Sequence, residues 1–240
     1  MREVTMIVTT SWDDGSIFDL KIAELLNRHQ LKGTFYVPER LFAHPLQRED
    51  IIRLDEGHEI GCHTSNHVEL TKVPIAIAGR EIGRSKEYME NLVGHYVPMF
   101  SYPSGMYNAA VKRLVREAGF AAARTTKSGN LKPPRDPFAW NATVYASYAS
   151  PFSHVAAWVK TSTPLKAFYD WETRAKCLFD TFIETGGVYH LWGHSLTFEM
   201  NLEWDRLDRV LAYVARRGGV RYLTNGQTHA AIEVVARSSS

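Results

Sequence analysis

Five of the short apolar runs of this sequence share one property: each ends on polar residues with chemistry to offer. Val8-Thr9-Thr10-Ser11-Trp12 runs into Asp13-Asp14-Gly15, and His58-Glu59-Ile60-Gly61-Cys62 runs into His63. Met99-Phe100-Ser101 leads to Tyr102-Pro103-Ser104-Gly105, the run from Phe120 ends on Arg124, and Val188 to Trp192 is followed closely by His194. Helical patterns separate these runs. The alternation predicts a parallel α/β sheet or barrel. In such barrels the C-terminal strand ends form one face, so residues far apart in sequence can converge there.

The spacing of apolar residues predicts strands over 6–11, 33–37, 58–62, 99–101, 120–124, 141–146, 188–192 and 220–223. Helices are predicted over 17–30, 47–56, 75–92, 108–118, 152–160, 171–185 and 203–216. Residues 127–138 hold three of the ten prolines and keep no periodicity, so they read as a surface excursion rather than a linker. One domain over residues 1–240 is expected, with a frayed tail at 236–240.

Composition narrows the function. A chain of 240 residues that is 45% hydrophobic can bury a full core. A net charge of +2 with no basic run excludes an electrostatic footprint for nucleic acid. Cys62 and Cys177 form no CxxC motif and read as free thiols. No basic segment with a long apolar stretch opens the chain, and no apolar run nears the ~20 residues of a membrane span. The expectation is a soluble, cytoplasmic protein, or an exported one if a leader has been removed; the oligomeric state is open.

A buried strand that finishes on two adjacent carboxylates needs a reason, because like charges repel and an unpaired buried charge is costly. An Asp-Gly turn is one reason; a bound cation is another. His63 and His67 stand four positions apart, which on a helical turn places both imidazoles on one face. Two histidines and a carboxylate make a recurring cation site with open positions, and Asp14 would supply the carboxylate. Successive strand residues point to opposite faces, so Asp13 joins the same site only if the chain turns, as Gly15 permits. Asp13 would then act as a general base, and His194 as the acid that protonates the leaving group. His190, in the same aromatic setting, competes with His194 for that role.

SWDDG at 11–15 resembles the TFDDG motif of the polysaccharide deacetylases of the NodB-homology type, carbohydrate esterase family 4. CHTSNH at 62–67 resembles the family's H-[ST]-x-x-H motif, FSYPSG at 100–105 its R-x-P-x-G motif, and VYHLWGH at 188–194 the late strand that carries a catalytic histidine. The resemblance covers about residues 5–225 and implies a distorted (β/α) barrel of about seven β/α units. It implies Asp13 as base, His194 as acid, and Asp14, His63 and His67 as ligands of a divalent metal, most often Zn2+, with Co2+, Ni2+ or Fe2+ as alternatives. Pro103, Ser104 and Gly105 would shape a groove wall. Trp192 and its fellow aromatics Trp171, Phe198 and Trp204 could stack on a sugar. Two departures stand out. The motif arginine that pairs with the catalytic aspartate is here Ser101, with Arg124 as candidate replacement, and the family's fourth motif is not recognisable.

The implied activity is removal of an acetyl group from an N-acetylated sugar, oligosaccharide or sugar-lipid. Hydrolysis of a cyclic amide or imide on a related barrel is an alternative. So is an inactive carbohydrate-binding homologue, for which Ser101 is the main support.

Overall fold

The computed structural model describes residues 6–40, 44–147 and 165–238. Its strands are β1 (Met6–Asp13), β2 (Gly33–Val37), β3 (Glu59–Cys62), β4 (Met99–Ser101), β5 (Ala122–Arg124), β6 (Val144–Tyr145), β7 (Gly187–Gly193) and β8 (Arg221–Tyr222). The helices are α1 (Asp19–His29), α2 (Arg48–Asp55), α3 (Ile75–Val93), α4 (Ala109–Glu117), α5 (Trp171–Thr185), α6 (Ser195–Asn201), α7 (Trp204–Val214) and α8 (Asn225–Ser238). All strand pairs are parallel, in the order β5-β4-β3-β2-β1-β7-β6 with β8 against β1.

β1 holds the sheet together. β7 lies along one side of it from Met6 to Trp12; on the other side β8 pairs at Ile7 and Val8, and β2 from Thr10 onward. The curl is completed by residues 140–146. The Trp140 amide donates to the Ala123 carbonyl at 3.0 Å, while the Thr143 and Ala146 amides donate to His190 and Trp192 carbonyls at 2.9 and 2.8 Å. One bent segment therefore bonds to both edges, and the parallel sheet expected from the alternation closes as the distorted (β/α) barrel that the family resemblance implies.

The strand period of two sorts β1 residue by residue. Val8 and Trp12 pack with Ile22, Leu25 and Leu26 in the core shared with the helices. Ile7 packs with Tyr36, Met99, Ala122, Trp140 and Val188 in a separate cluster inside the barrel. Thr9, Ser11 and Asp13 follow Ile7 on that inner face and bond to Asn225, His190 and Arg124. Gly61 fits the same interior: a Cβ there would lie 2.5 Å from the Tyr36 ring.

Some elements go beyond those that the sequence pattern marks. After β8 the chain continues as α8, which runs to Ser238, into the stretch expected to fray. A short helix, α6, begins directly after His194 and was not legible as one. Residues 127–136 are irregular and at least partly exposed, and they are tied to the sheet: the Val188 amide donates to Leu131 O at 2.7 Å and the Gly129 amide to Thr143 O at 2.9 Å. The helix expected over 152–160 lies outside the described residues. Among the described residues no helix is long and apolar enough to cross a membrane.

Candidate active site

The C-terminal mouth of the barrel gathers the residues that the motifs single out. Asp13, the last residue of β1, points inward and is 3% exposed. The chain then turns sharply, with φ of 80° at Asp14 and 63° at Gly15. The turn thus begins on the second aspartate itself, at a cost of about 1–2 kcal/mol for a residue with a Cβ. Thr64, His67 and Ser104 adopt positive φ at the same rim. Left-handed non-glycine residues gather where the surrounding structure holds a site in place.

Arg124, at the end of β5, is fully buried and reaches across the mouth. Its Nη2 donates to both carboxylate oxygens of Asp13, and to Ser101 Oγ at 2.8 Å; Nη1 donates to Thr125 O at 3.1 Å. The guanidinium lies over the rings of Trp192 and Tyr36, at 4.7 and 5.2 Å from their centroids. Ser101 therefore adds an acceptor to the guanidinium that enters from the neighbouring strand. Its carbonyl also receives His63 Nδ1–H at 2.8 Å. That bond fixes the His63 tautomer and leaves the Nε2 lone pair facing the mouth.

His63 and His67 do not lie on a helical turn, as their spacing suggested. Residues 63–67 form an irregular loop in which Thr64 and His67 are left-handed. The two backbone reversals still bring the rings together, with centroids 4.8 Å apart at 64°. Asp14 Oδ1 lies 3.2 Å from His67 Nε2 and 3.5 Å from His63 Nε2. One ligand atom from each of Asp14, His63 and His67 falls within 4.8 Å of the others. Asp14 Oδ1 is buried and has no aligned hydrogen-bond partner among the described residues. Burial opposes ionisation of Asp14, but the His63 and His67 imidazoles beside it outweigh burial and hold the carboxyl well below the usual carboxylate range. A permanent carboxylate with an unsatisfied oxygen, facing two imidazole nitrogens, has the donor chemistry of a divalent transition-metal site. Asp13 stands just outside this set, with Oδ2 4.0 Å from His63 Nε2.

His194, after β7, completes the mouth. Its Nε2 lies 3.7 Å from Asp14 Oδ2, and its Nδ1 is 3.3 Å from the Tyr145 hydroxyl. His190 is in a different place. It is 1% exposed inside the barrel, its Nε2 is 2.8 Å from Ser11 Oγ, and burial, then the Arg124 charge, pulls its pKa well below the ordinary value. It has no access to a substrate, so of the two histidines only His194 lines the mouth. Tyr145 was missed by sequence reading, although it ends a strand-like run as the other site residues do.

The expected groove residues fare unequally. Pro103 is buried, whereas Ser104 is exposed, with its hydroxyl 3.3 Å from Glu69 Oε1. Gly105 allows a close approach that a Cβ would block at 2.1 Å from Thr126 Oγ1. Trp192 is not a platform for a sugar. It is 5% exposed, covered by Tyr145 in a stacked pair, and its indole N–H donates to Ser128 Oγ at 3.2 Å. Trp171 and Phe198 are core residues at 1% and 0% exposure.

A family model described as polysaccharide deacetylase matches residues 4–123, half of the chain. That stretch takes in Asp13, Asp14, His63, His67 and Ser101 and stops one residue short of Arg124. A peptidoglycan-N-acetylglucosamine deacetylase of Bacillus cereus is 28% identical over 117 residues, which are 48% of this chain and 54% of that protein. The alignments with the first curated relatives span only about a quarter to about half of those proteins' length. Among solved structures, one from Mycobacterium smegmatis assigned to the polysaccharide deacetylases superposes with a TM-score of 0.70 at 18% identity, covering 97% of this chain and 91% of that one. A family 4 acetyl xylan esterase from Clostridium thermocellum, in complex with a cobalt ion, gives a TM-score of 0.61 at 16% identity over 94% and 91% of the two chains. These likenesses extend the barrel over nearly the whole chain, and with the matched motifs they place it: this protein belongs to the polysaccharide deacetylase family.

Proposed function

We propose that the protein is a metal-dependent hydrolase that removes an acetyl group from an N-acetylated sugar. The observation that carries this reading is the meeting of Asp14, His63 and His67 beside an aspartate, Asp13, that is paired with Arg124 and not spent on the ligand set. Asp14, His63 and His67 would hold the cation, with zinc the first candidate for a set of two imidazoles and a carboxylate and cobalt, nickel or iron as alternatives. When bound, such a cation acidifies water and polarises a carbonyl.

The other steps belong to the chain. Asp13 takes the proton of the attacking water, and Arg124 fixes the carboxylate so that its free lone pairs face the mouth. His194 carries a proton on Nε2 and passes it to the departing amine, with Tyr145 orienting the ring through Nδ1. The buried wall of Trp192, Tyr36 and Arg124 keeps bulk water from the back of the site. An inactive binding protein is disfavoured, because Arg124 supplies a guanidinium to Asp13 despite Ser101.

Acetate release tests the reading. Protein loaded with zinc or cobalt is offered N-acetylglucosamine oligomers, peptidoglycan, acetylated xylan and a set of cyclic amides. Release of acetate, abolished in Asp13→Asn, is expected. Ring opening of a cyclic amide without acetate release would replace the proposal with the alternative hydrolase, and turnover of none of them by metal-loaded protein would overturn it.

A further inference from the structure

Tyr145 reaches His194 from one of the two shortest strands of the barrel. β6 is two residues long and stands at one end of the strand order, paired with β7. A strand this short has few ladder hydrogen bonds to hold it. The Tyr145 ring stacks on Trp192, with centroids 4.4 Å apart at 29°, and meets the His194 ring edge-on at 5.8 Å. Its hydroxyl, 3.3 Å from His194 Nδ1, is the one side-chain hydrogen-bond contact of a histidine whose side chain is 26% exposed.

Behind β6 lies Arg174 of α5, the helix that packs against this strand. Arg174 is 4% exposed. Its Nη1 donates to Ala167 O at 3.0 Å, and its Nη2 donates to Ser147 O at 3.2 Å and to Tyr145 O at 3.4 Å. Among the described residues three carbonyls, and no carboxylate, receive the guanidinium, and Nε has no partner. Asp170, whose charge acts on Arg174, caps α5 through Thr173 and pairs with Arg206 instead. A buried cation without a counter-charge is costly, and burial pulls the Arg174 pKa down to about 10. An apolar side chain would fill the same space without that penalty, but it would leave the carbonyls of Tyr145 and Ser147 without this donor. The planar fork of the guanidinium reaches all three carbonyls at once, which a point charge cannot do.

We propose that Arg174 is a positioning residue for the proton donor: through the carbonyls of Tyr145 and Ser147 it fixes the end of β6, and the Tyr145 hydroxyl then fixes the His194 ring at the mouth. This rests on the reading of His194 as that donor. Two buried arginines thus serve the two sides of the reaction. Arg124 holds the base directly, by bonding Asp13. Arg174 holds the acid at one remove, through the strand that carries Tyr145.

Double-mutant kinetics on zinc-loaded protein give the first readout. Arg174→Met and Tyr145→Phe each lower kcat about 10- to 100-fold with KM little changed, the loss expected from a misplaced catalytic group. The double variant loses no more than the worse single one, because both changes cut the same line to His194. Losses that multiply, or a lower melting temperature with kcat unchanged, would reduce Arg174 to a structural residue. The second readout needs no substrate: a nuclear Overhauser cross-peak between the His194 and Tyr145 rings, present in wild type, is broadened or lost in Arg174→Met. An undiminished cross-peak in the folded variant overturns the proposal. Should Arg174→Met not fold, Arg174→Lys takes its place and is judged by the same cross-peak, since it keeps the charge and cannot bridge three carbonyls. If wild type releases no acetate, the cross-peak still decides the role of Arg174 while the deacetylase reading fails by itself.

Discussion

The barrel has a buried polar network at each end, and the two are built to different standards. At the N-terminal end, the Asn225 side chain accepts from Thr9 at 2.8 Å and donates to the Tyr36 hydroxyl at 2.9 Å, and its backbone N–H donates to Thr34 Oγ1 at 2.9 Å. Beside it the Glu59 carboxylate accepts from Thr34 at 2.7 Å and from the Gly226 amide at the start of α8. Each of these polar groups is satisfied. At the C-terminal mouth, Asp14 Oδ1, both Asp19 oxygens, Ser195 Oγ and Arg124 Nε lack an aligned partner. A satisfied network stabilises and specifies a fold, while unsatisfied groups are retained where a ligand or a reaction uses them. One end holds the barrel shut and the other is kept ready for chemistry.

The contrast can be broken from the mouth first. Asp13→Asn is expected to lower kcat about 10²- to 10⁴-fold, the range for loss of a general base, while the protein still binds one equivalent of zinc by elemental analysis. Retained turnover would remove Asp13 from the reaction. The same change leaves Arg124 buried against a neutral group, so a fall in melting temperature accompanies it.

At the opposite end the expected effect is on stability alone. Asn225→Ala abolishes two side-chain hydrogen bonds and leaves Thr9 and Tyr36 without their partner, a loss of about 2–4 kcal/mol in chemical denaturation. The kcat of the folded fraction should not change. A comparable fall in kcat would mean that the two ends are coupled through β1 and that the division drawn here is wrong.

A smaller effect is expected in acid. Burial, reinforced by the Lys32 charge, pulls the His58 pKa down to about 4, and burial acts in the same direction on His190. The unfolded chain takes up these protons near pH 6.5, before the folded chain does. Their contribution is therefore complete above pH 6.5 and is lost as the pH falls from 6.5 towards 4, at most about 3 kcal/mol for His58. His58→Gln should flatten denaturation midpoints over that window; an unchanged slope would show that His58 is not neutral in the fold.

Much of this was legible in the sequence. A parallel barrel is written in short strand-like runs at intervals along the chain, and Asp13, Asp14, His63 and His67 are legible because they stand at or just beyond strand ends. What was not legible was set by tertiary context. Arg124 could be suspected from its strand-end position, but only the register of β4 against β5, Ser101 beside Arg124, shows how it takes the space that a serine leaves. The 63–67 spacing suggested a helical turn because two left-handed residues cannot be read from HTSNH. Asn225 and Gly226 look like an ordinary turn dipeptide, and their role in capping the barrel depends on Thr9, Thr34 and Glu59. Trp192 carries the same aromatic signature inside a core or on a sugar-binding surface, and its depth separates the two.

The most direct test is a zinc titration followed by elemental analysis and thermal denaturation. Wild type should bind one zinc per chain and gain stability, about 2.7 kcal/mol at a hundredfold excess over Kd, while Asp14→Ala and His63→Ala bind none and gain nothing. A wild-type chain that takes up no divalent cation, or an Asp14→Ala chain that binds zinc as tightly as wild type, would contradict the account.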